Sequence, residues 1–564
     1  MTAYYLGIDV GTGSARAAVI DAQGTLVGLA VQPIRTANPL TDFYEQSTTD
    51  IWQSICHCVR AAVSEAKVAI TDIKGIGFDA TCSLAVLDHE GQPLSVDPVS
   101  GYENHDLNVI LWADHRAVEQ AKAINKTQHD VLKYVGGTIS PEMQIPKILW
   151  LKQNVPVQHW NKVGHLMDLP DFLTYRATGC LARSTCSLTC KCSYLPRGVG
   201  QGWDPSFFKA IGLDVLVDEG WTRLDGDQTP LYAGDCFGQL TAQAAAELGL
   251  AQGTPVGSAV IDAYAGAIAT LGAGARLETE DEKESSSSPE EVLKHRLAII
   301  CGTSTCHIAL SADPIFVPGV WGPYRSVLLP DMWCAEGGQS STGQLIDHTL
   351  SSHPAIQEAK AQAENRHMNI YAFLNEHLEN LRQKRGLKHL ESLTHHMHIY
   401  PDYHGNRSPL ADPTLRGTIV GLTLDKSLDD LAMRYLATIQ AISCQTRHII
   451  ESLNERGYRI HTLCLSGGLC KNPIFVQLHA NITRCRVILP ESIDGAVVIG
   501  AAFVGARAAG AGTLWQVMTR LGRTGAVIDP SSDQELKTLN EKRYQVFHEL
   551  LKDQKKYRRM MNGD

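Results

Sequence analysis

The feature that most constrains the fold is a glycine-rich turn near the start of the chain. It joins an apolar run that ends at Asp9 to a second apolar run, residues 15–20. The residues of the turn that offer backbone N–H groups or hydroxyls are Gly11, Thr12, Gly13 and Ser14. Glycines let a chain turn sharply and bring its N–H groups close to an anion. The pattern therefore predicts strand, tight turn and strand, with phosphate at the turn and a Mg²⁺ ion held by Asp9.

The segment after these glycines excludes two familiar nucleotide sites. A dinucleotide-binding fingerprint or a P-loop requires a helix directly after the glycines. Here the apolar run 15–20 is typical of a strand, so both interpretations fail. An ordinary β-hairpin remains an alternative for this turn taken alone, because short glycine motifs match by chance.

The same order of strand, glycine-rich turn and strand is predicted again after the midpoint of the chain. The apolar run 297–300 leads into a second turn, and a strand-like run at 305–310 follows it. The residues of this turn are Gly302, Thr303 and Ser304. Two phosphate-type hairpins, one in each half, indicate two similar domains that face one nucleotide. This arrangement resembles the actin/Hsp70-like (ribonuclease H-like) ATPase fold, which implies an α/β protein with two such domains around a central cleft for nucleotide and sugar.

Length supports two domains, because 564 residues are too many for a single core. The stretch from Leu277 to Pro289 is acidic and rich in serine, which is typical of a structureless insertion. The predicted division is an N-terminal domain at 1–275, a loop at 276–292 and a C-terminal domain at 293–564. Residues 354–394 are polar and helical in pattern, and we interpret them as a further insertion.

The composition limits which binding partners and which cellular compartment we expect for this protein. The net charge of −10 argues against general binding to nucleic acid or to anionic membranes. The most apolar segment, residues 259–275, is too short and too rich in glycine to span a bilayer. The fifteen cysteines show no zinc-type spacing, and the first predicted strand begins too early for a signal peptide. We therefore expect free thiols in a reducing cytoplasm.

Two groups of polar residues in the first half are candidates for ligand binding. Asp79 and Thr81 lie at the end of a strand-like run, where α/β sheets place ligands. Trp112, Asp114 and Arg116 form a dense cluster of functional groups. For this cluster a helix cap with a salt bridge is the structural alternative, because caps favour Asp and exposed ion pairs are common.

Lys191 and Asp262 each allow two interpretations. Lys191 lies among small and hydroxyl residues, so it either snorkels to solvent or reaches an oxygen-rich ligand. From the residues alone, snorkelling is the favoured interpretation. Asp262 ends an apolar run and precedes a run of small residues with a helical pattern. That position suits either a helix cap or a catalytic base held rigidly above a cleft.

The second half offers two further glycine-rich junctions. Glu336 lies in one of them, at a predicted change from strand to helix. The other contains Gly467 and Gly468 and is followed by Asn472. Glycines let a flat adenine lie close to the backbone, and Asn472 offers both a donor and an acceptor. This junction is therefore the predicted adenosine site.

Taken in chain order, these stretches resemble the FGGY family of carbohydrate kinases, from residue 4 to about residue 552. The stretches that carry the resemblance are the two hairpins and residues 112–116, 171–173, 261–263, 336–339 and 466–472. Within the family, the chain looks most like the ribulokinase branch and its eukaryotic D-ribulokinase type. The stretches that favour this branch are residues 78–83, 112–116, 190–191, 321–324 and 404–413.

The resemblance implies ATP-dependent phosphorylation of a ketopentose, with D-ribulose converted to D-ribulose 5-phosphate. By this resemblance Asp9 organises Mg²⁺, the two turns hold phosphates, and Asp262 is the general base on the substrate hydroxyl. The residues expected to contact the sugar are Thr81, Cys82, Trp112, Asp114, Arg116, Lys191, Asp262 and Glu336. The residues expected to contact the nucleotide are Gly11, Thr12, Gly13, Ser14, Gly302, Thr303, Ser304, Gly467, Gly468 and Asn472.

Three alternatives stay open at this point. The acceptor is another pentulose or a polyol (L-ribulose, xylulose or ribitol), or the chain is a chaperone- or actin-like ATPase without a sugar, or it is a catalytically silent sugar sensor. Intact Asp9 and Asp262 disfavour the silent sensor. The expected partners are a sugar and ATP, with a homodimer left open, and we expect neither nucleic acid nor a membrane.

Overall fold

Each half of the chain builds an α/β unit around a seven-stranded sheet. The structure, a computed structural model, describes residues 3–224, 229–273 and 288–563. Most of the loop predicted at 276–292 lies outside the described residues. The last residues of that loop form the start of a short helix, Pro289–Leu293.

The first half contributes the first sheet and a smaller one. Its strands are β1 (Tyr4–Val10), β2 (Ser14–Asp21), β3 (Leu26–Pro33), β4 (Glu45–Gln46), β5 (Ile73–Ala80), β6 (Leu84–Asp88), β7 (Val109–Ile110), β8 (Val163–Asp168), β9 (Cys236–Gln239), β10 (Pro255–Gly257) and β11 (Val260–Ile261). The order in the large sheet is β3-β2-β1-β5-β10-β9, with β11 also paired to β5. The smaller sheet has the order β4-β7-β6-β8.

The second half repeats the local plan of the first. Its strands are β12 (Arg296–Cys301), β13 (Thr305–Ser311), β14 (Trp321–Arg325), β15 (Trp333–Gln339), β16 (His398–Tyr400), β17 (Thr418–Val420), β18 (Thr462–Ser466), β19 (Arg486–Pro490) and β20 (Thr524–Ile528). The large sheet has the order β14-β15-β13-β12-β18-β19-β20, and β16 pairs with β17. β12 pairs antiparallel with β13 and parallel with β18, just as β1 pairs with β2 and β5. The two hairpins predicted from the glycine turns are therefore present.

Helices cover the sheets. In the first half they are α1 (Thr48–Ala66), α2 (Val118–Lys126), α3 (Gln144–Asn154), α4 (Val157–Trp160), α5 (Leu169–Thr178), α6 (Thr185–Lys191), α7 (Pro205–Ala210), α8 (Asp214–Asp218), α9 (Ala242–Leu248) and α10 (Asp262–Ala273). In the second half they are α11 (Pro289–Leu293), α12 (Gly343–Ser351), α13 (Ile356–Asn365), α14 (Ile370–Lys384), α15 (Leu428–Glu455), α16 (Pro473–Thr483), α17 (Ala496–Ala508), α18 (Leu514–Leu521) and α19 (Gln534–Asn562). Among the described residues, no helix combines the length and the apolar character needed to cross a membrane.

Two helices of small residues, α10 and α17, pack where the two halves meet. A Cβ atom at Gly500 would lie 1.9 Å from the carbonyl oxygen of Ala265, so only glycine permits this contact between the helices. α17 also packs on the first sheet, where a Cβ atom at Gly7 would lie 1.9 Å from the carbonyl oxygen of Val498. A helix of the second half thus belongs to the core beside the first sheet. The domain boundaries given above stay predictions.

The register of the first sheet places acidic residues at one edge. β1 and β11 both pair with β5 in parallel, on opposite sides of it. Asp9 is the register partner of Asp79, and Val260 is the partner of Asp79 on the other side. Asp262 follows β11 directly. Because parallel strands end at the same edge, Asp9, Asp79 and Asp262 come together there.

Candidate active site

A cavity of about 240 Å³ opens between the two halves, and both hairpin turns reach it. The predicted site residues that line it are Asp9, Gly11, Thr12, Thr81, Cys82, Trp112, Lys191, Asp262, Gly302, Thr303, Ser304 and Glu336. A larger groove, of about 1080 Å³, lies against α1, α5 and α9 and is lined by none of the predicted site residues. The chemistry predicted from the sequence therefore belongs to the smaller, central cavity.

Asp262 is held rigidly in this cavity as the first residue of α10. One of its oxygens, Oδ1, accepts a hydrogen bond from the backbone N–H of Ala263 at 2.7 Å. Burial, and then the nearby charge of Asp9, raise the pKa of Asp262 to about 6. The carboxylate is therefore mostly ionised at neutral pH and still basic enough to accept a proton, which is the property a general base requires.

Asp9 lies near the end of β1 and is 3% exposed. Nη1 of Arg16, on the neighbouring strand β2, is 3.8 Å from Oδ2 of Asp9. Burial raises the pKa of Asp9, although Arg16 favours the charged form. A buried carboxylate that lines a cavity and has one distant cation is a suitable oxygen ligand for Mg²⁺.

The two hairpin turns have the same internal hydrogen bond. The N–H of Gly11 donates to the carbonyl oxygen of Ser14 at 3.0 Å, and the N–H of Gly302 donates to that of Ser304 at 2.9 Å. Nε1 of Trp112 donates to Oγ1 of Thr12 at 3.0 Å and so ties the first turn to the 112–116 stretch. Gly13 and Ser14 belong to the first turn but do not line the cavity.

One side of the cavity is built around Glu336. Its Oε1 accepts a hydrogen bond from Nη2 of Arg407 at 2.7 Å, and its Oε2 accepts one from the hydroxyl of Tyr264 at 3.1 Å. Nζ of Lys191 lies 3.6 Å from Oε2. The ring of Trp321 lies 4.6 Å from Nζ of Lys191 and 4.4 Å from Cζ of Arg407. We call these five residues the Glu336 cluster.

The charges in the Glu336 cluster keep its carboxylate ionised. Burial alone would raise the pKa of Glu336, but Lys191 and Arg407 hold it below its usual value. Conversely, although burial opposes the charge of Lys191, Glu336 raises the pKa of this lysine. The cluster thus offers a fixed charged acceptor and fixed charged donors, which is how buried sites bind hydroxyl groups.

Two members of this cluster differ from the sequence interpretation. The side chain of Lys191 is 4% exposed and lies against Glu336, so the favoured snorkelling interpretation was wrong. Arg407 was missed, although it lines the cavity. The available signal was a single cation between glycine, asparagine and proline in the 404–413 stretch, which supported the family resemblance without assigning a role to Arg407.

The structure does not bring Asp114 and Arg116 to the cavity. Nη2 of Arg116 lies 2.7 Å from Oε1 of Glu45 and 2.8 Å from Oδ2 of Asp114, and all three side chains are fully buried. The guanidinium also packs against the rings of Phe43 and Trp150, at 4.2 and 5.0 Å. The salt-bridge alternative describes this arrangement, and we call Glu45, Asp114 and Arg116 the Arg116 cluster.

The predicted adenosine junction lies beside the second hairpin, outside the lining of the central cavity. Gly467 has a φ angle of +96°, and a Cβ atom there would lie 2.3 Å from the carbonyl oxygen of Cys301. Gly468 begins a short 3₁₀ helix, and Asn472 caps α16 by accepting a hydrogen bond from the N–H of Ile474 at 3.1 Å. Contact of these residues with adenosine stays a prediction.

Two α/β units with matching hairpins, and a cavity between them that contains a buried aspartate and a charged pocket, are the arrangement expected of a two-domain sugar kinase. Residues 4–269 match the N-terminal domain of the FGGY family of carbohydrate kinases, and residues 297–509 match its C-terminal domain. The chain belongs to the FGGY family of carbohydrate kinases.

Individual relatives agree with this assignment. An FGGY carbohydrate kinase domain-containing protein of Xenopus laevis is 46% identical over 559 residues, which cover 99% of this chain and 98% of that protein. A D-ribulokinase of Saccharomyces cerevisiae is 44% identical over 519 residues, which cover 90% of this chain and 72% of that protein. The crystal structure of a xylulose kinase from Brucella ovis has a TM-score of 0.74 at 21% identity, covering 97% of this chain and 98% of that one. The predicted fold class and sugar-kinase activity are confirmed, with ATP as the phosphoryl donor that the family implies.

Proposed function

We propose that the protein transfers a phosphoryl group from Mg·ATP to D-ribulose and forms D-ribulose 5-phosphate. The observation that carries the proposal is that Asp262 shares one cavity with both hairpin turns and with charged residues of the Glu336 cluster. The similarity to a protein named as a D-ribulokinase supports the choice of sugar.

The ketopentose binds on the side of the cavity that contains Trp112, Lys191 and Glu336. Lys191 donates hydrogen bonds to sugar oxygens, and the ionised carboxylate of Glu336 accepts them from sugar hydroxyls. Arg407 keeps Glu336 in place for this contact, because its Nη2 donates a hydrogen bond to Oε1 of Glu336 at 2.7 Å. Thr81 and Cys82 line the same cavity and limit the space for the sugar.

The nucleotide phosphates bind at the two turns, and the adenosine binds near Gly467, Gly468 and Asn472. Asp9 is the residue that would hold Mg²⁺. Its carboxylate is buried and lines the cavity, and the guanidinium of Arg16 lies no closer than 3.8 Å to it. When bound, Mg²⁺ neutralises charge on the phosphate oxygens. The turns add backbone N–H groups and hydroxyls, which suit phosphate oxygens without requiring a net positive protein.

Asp262 takes the proton from the sugar hydroxyl as that oxygen attacks the γ-phosphorus atom, and the bond from this phosphorus to the bridging oxygen of the β-phosphate breaks and releases ADP. Phosphoryl transfer depends on positioning and charge stabilisation more than on covalent chemistry, so one base and a set of fixed donors are sufficient. The hydrogen bond from Ala263 and the start of α10 fix the carboxylate, which reduces the motion needed to reach the hydroxyl.

A substrate screen tests this proposal. Release of ADP from ATP is measured with D-ribulose, L-ribulose, D-xylulose and ribitol, with reactions lacking a sugar as the control. We expect the highest kcat/KM for D-ribulose. A higher value for another acceptor would replace D-ribulose as the substrate, and no stimulation by any sugar would contradict the proposed function as a whole.

The cytoplasm stays the predicted location, and a homodimer stays open. All fifteen cysteines are free thiols, which supports a reducing compartment.

A further inference from the structure

Asp79, on β5, is a buried carboxylate for which neither the sequence nor the proposed reaction provides a partner. The residue is fully buried, and no amide or hydroxyl among the described residues donates a hydrogen bond to its oxygens. Its neighbour is the carboxyl of Asp9, with which it shares a hydrogen bond only while one of the two carboxyls keeps its proton. Buried polar groups are nearly always hydrogen-bonded, and buried charges are nearly always paired or bound to a metal ion. When both carboxyls are ionised, Asp79 therefore lacks the compensation that its burial requires.

The position of Asp79 in the sheet places it beside two acidic residues of the cavity, Asp9 and Asp262. β5 lies between β1, which contains Asp9, and β11, which leads to Asp262. Burial raises the pKa of Asp79 well above its usual value, and the charges of Asp9 and Asp262 raise it further. Arg16 is the cation that opposes this shift. Three carboxylates thus share the edge of one sheet, where Arg16 favours the ionised forms of Asp9 and Asp79 and Lys191 that of Asp262.

Another buried acidic residue of the same half has a hydrogen-bond donor and a cation that partly offset the cost of its burial. Oδ1 of Asp171 accepts a hydrogen bond from the backbone N–H of Ser184 at 2.8 Å, while its Oδ2 has no hydrogen-bond partner among the described residues. Burial raises the pKa of Asp171 to about 7, and the charge of Arg183 opposes that shift. Asp171 is as deeply buried as Asp79 but does not line the cavity. The difference indicates that the missing partner of Asp79 is a cation that belongs to the cavity.

We propose that Asp79 is the second carboxylate of the divalent cation site, adding its charge behind that of Asp9. Asp79 does not line the cavity, so it acts on the cation together with Asp9 and does not contact the sugar. It is a positioning residue for Mg²⁺, and the inference rests on the proposed use of Mg·ATP. Outer carboxylates of this kind typically contribute about 10- to 100-fold to metal affinity.

Calorimetric titration with ADP tests the inference without measuring turnover. Binding is measured once with Mn²⁺ and once with EDTA, for the wild type and for Asp79→Asn. In the wild type, Mn²⁺ should strengthen ADP binding. In Asp79→Asn most of this gain should disappear, with a loss of about tenfold or more in Mn·ADP affinity. ADP affinity in EDTA should stay within about twofold, because removing Asp79 changes the metal site and not the nucleotide contacts.

Asp171→Asn is the matched control, since it removes a buried carboxylate of the same half that is hydrogen-bonded and lies away from the cavity. It should keep the full gain from Mn²⁺. Asp79→Ala, made alongside Asp79→Asn, removes the carboxylate without leaving an amide, and it should lose the same gain.

Two results would overturn the inference. The first is a gain from Mn²⁺ in Asp79→Asn equal to that of the wild type. The second is an equal loss of ADP affinity with and without metal, which would make Asp79 a purely structural residue. If the wild type phosphorylates a sugar and either result is found, the proposed function stands and only the role of Asp79 fails. A wild type that binds no ADP would instead contradict the proposed function.

Discussion

Two buried clusters of charged side chains in this protein have similar composition and different surroundings. In the Glu336 cluster, Lys191 and Arg407 share one carboxylate, and all three residues line the central cavity. In the Arg116 cluster, one guanidinium is shared by two carboxylates, and its three side chains are fully buried away from the cavity. The first cluster can therefore meet a ligand, whereas the second can only stabilise the fold.

The comparison shows that the same pairing of charges has different consequences at a cavity and in a closed core. In a closed core the charged groups of an ion pair have only each other and their protein neighbours as partners, so removal of one partner leaves a buried charge. A pair beside a cavity keeps hydrogen-bonding capacity for a ligand, so its removal is expected to affect binding and rate more than folding.

Of the substitutions in the two clusters, Arg116→Met should give the largest effect, and that effect should be on stability. Without the guanidinium, Glu45 and Asp114 lose their shared partner in a closed site, which costs about 3–5 kcal/mol. Urea unfolding measures the change. Arg35→Met is the matched control, because Arg35 pairs with Asp50 at a side-chain exposure of 73% and should cost less than about 1 kcal/mol. Equal effects of the two substitutions would remove the distinction between closed and exposed pairs.

Lys191→Met should have the opposite profile. We expect kcat/KM for the sugar to fall by about 100-fold, since a charged hydrogen bond is worth about 1.5–3 kcal/mol, while KM for ATP changes little. Steady-state kinetics with each substrate varied in turn measures this. Lys152→Met, on α3 outside the cavity, should behave as the wild type. If Lys191→Met lowered stability and left the sugar kinetics unchanged, the Glu336 cluster would be structural like the Arg116 cluster.

The pH profile should separate the role of Asp262 from that of Glu336. Asp262 has its pKa raised to about 6 by burial and by Asp9, and its active form as a base is the ionised one. Below that pH, kcat/KM should therefore fall about tenfold per pH unit, and above it the value should level off. Glu336 has a lowered pKa and should stay ionised over the same range. A profile that is flat down to pH 5 would contradict the assignment of Asp262.

The sequence was sufficient for the fold and for part of the site. The hairpins were predictable because the order of strand, glycine turn and strand is local and occurs twice. Asp262 and Asp9 were predictable because each ends an apolar run. The surroundings of Lys191 and Arg407 were not: Lys191 meets Glu336 only where the two halves come together, and Arg407 meets it only through the folding of the second half. A dense group of charged residues was equally ambiguous, as the closed environment of Arg116 shows.

The most direct test of the proposed mechanism is the turnover of Asp262→Asn. An amide keeps the size of the side chain and one acceptor but cannot accept a proton, and loss of a general base typically costs about 100- to 10,000-fold in rate. We expect a loss of this size in kcat with D-ribulose, while KM for D-ribulose and for ATP changes by only a few-fold. If Asp262 were only a helix cap, Asn would replace it well, because both are good caps. A kcat within a few-fold of the wild type would therefore contradict the role of Asp262 as the base.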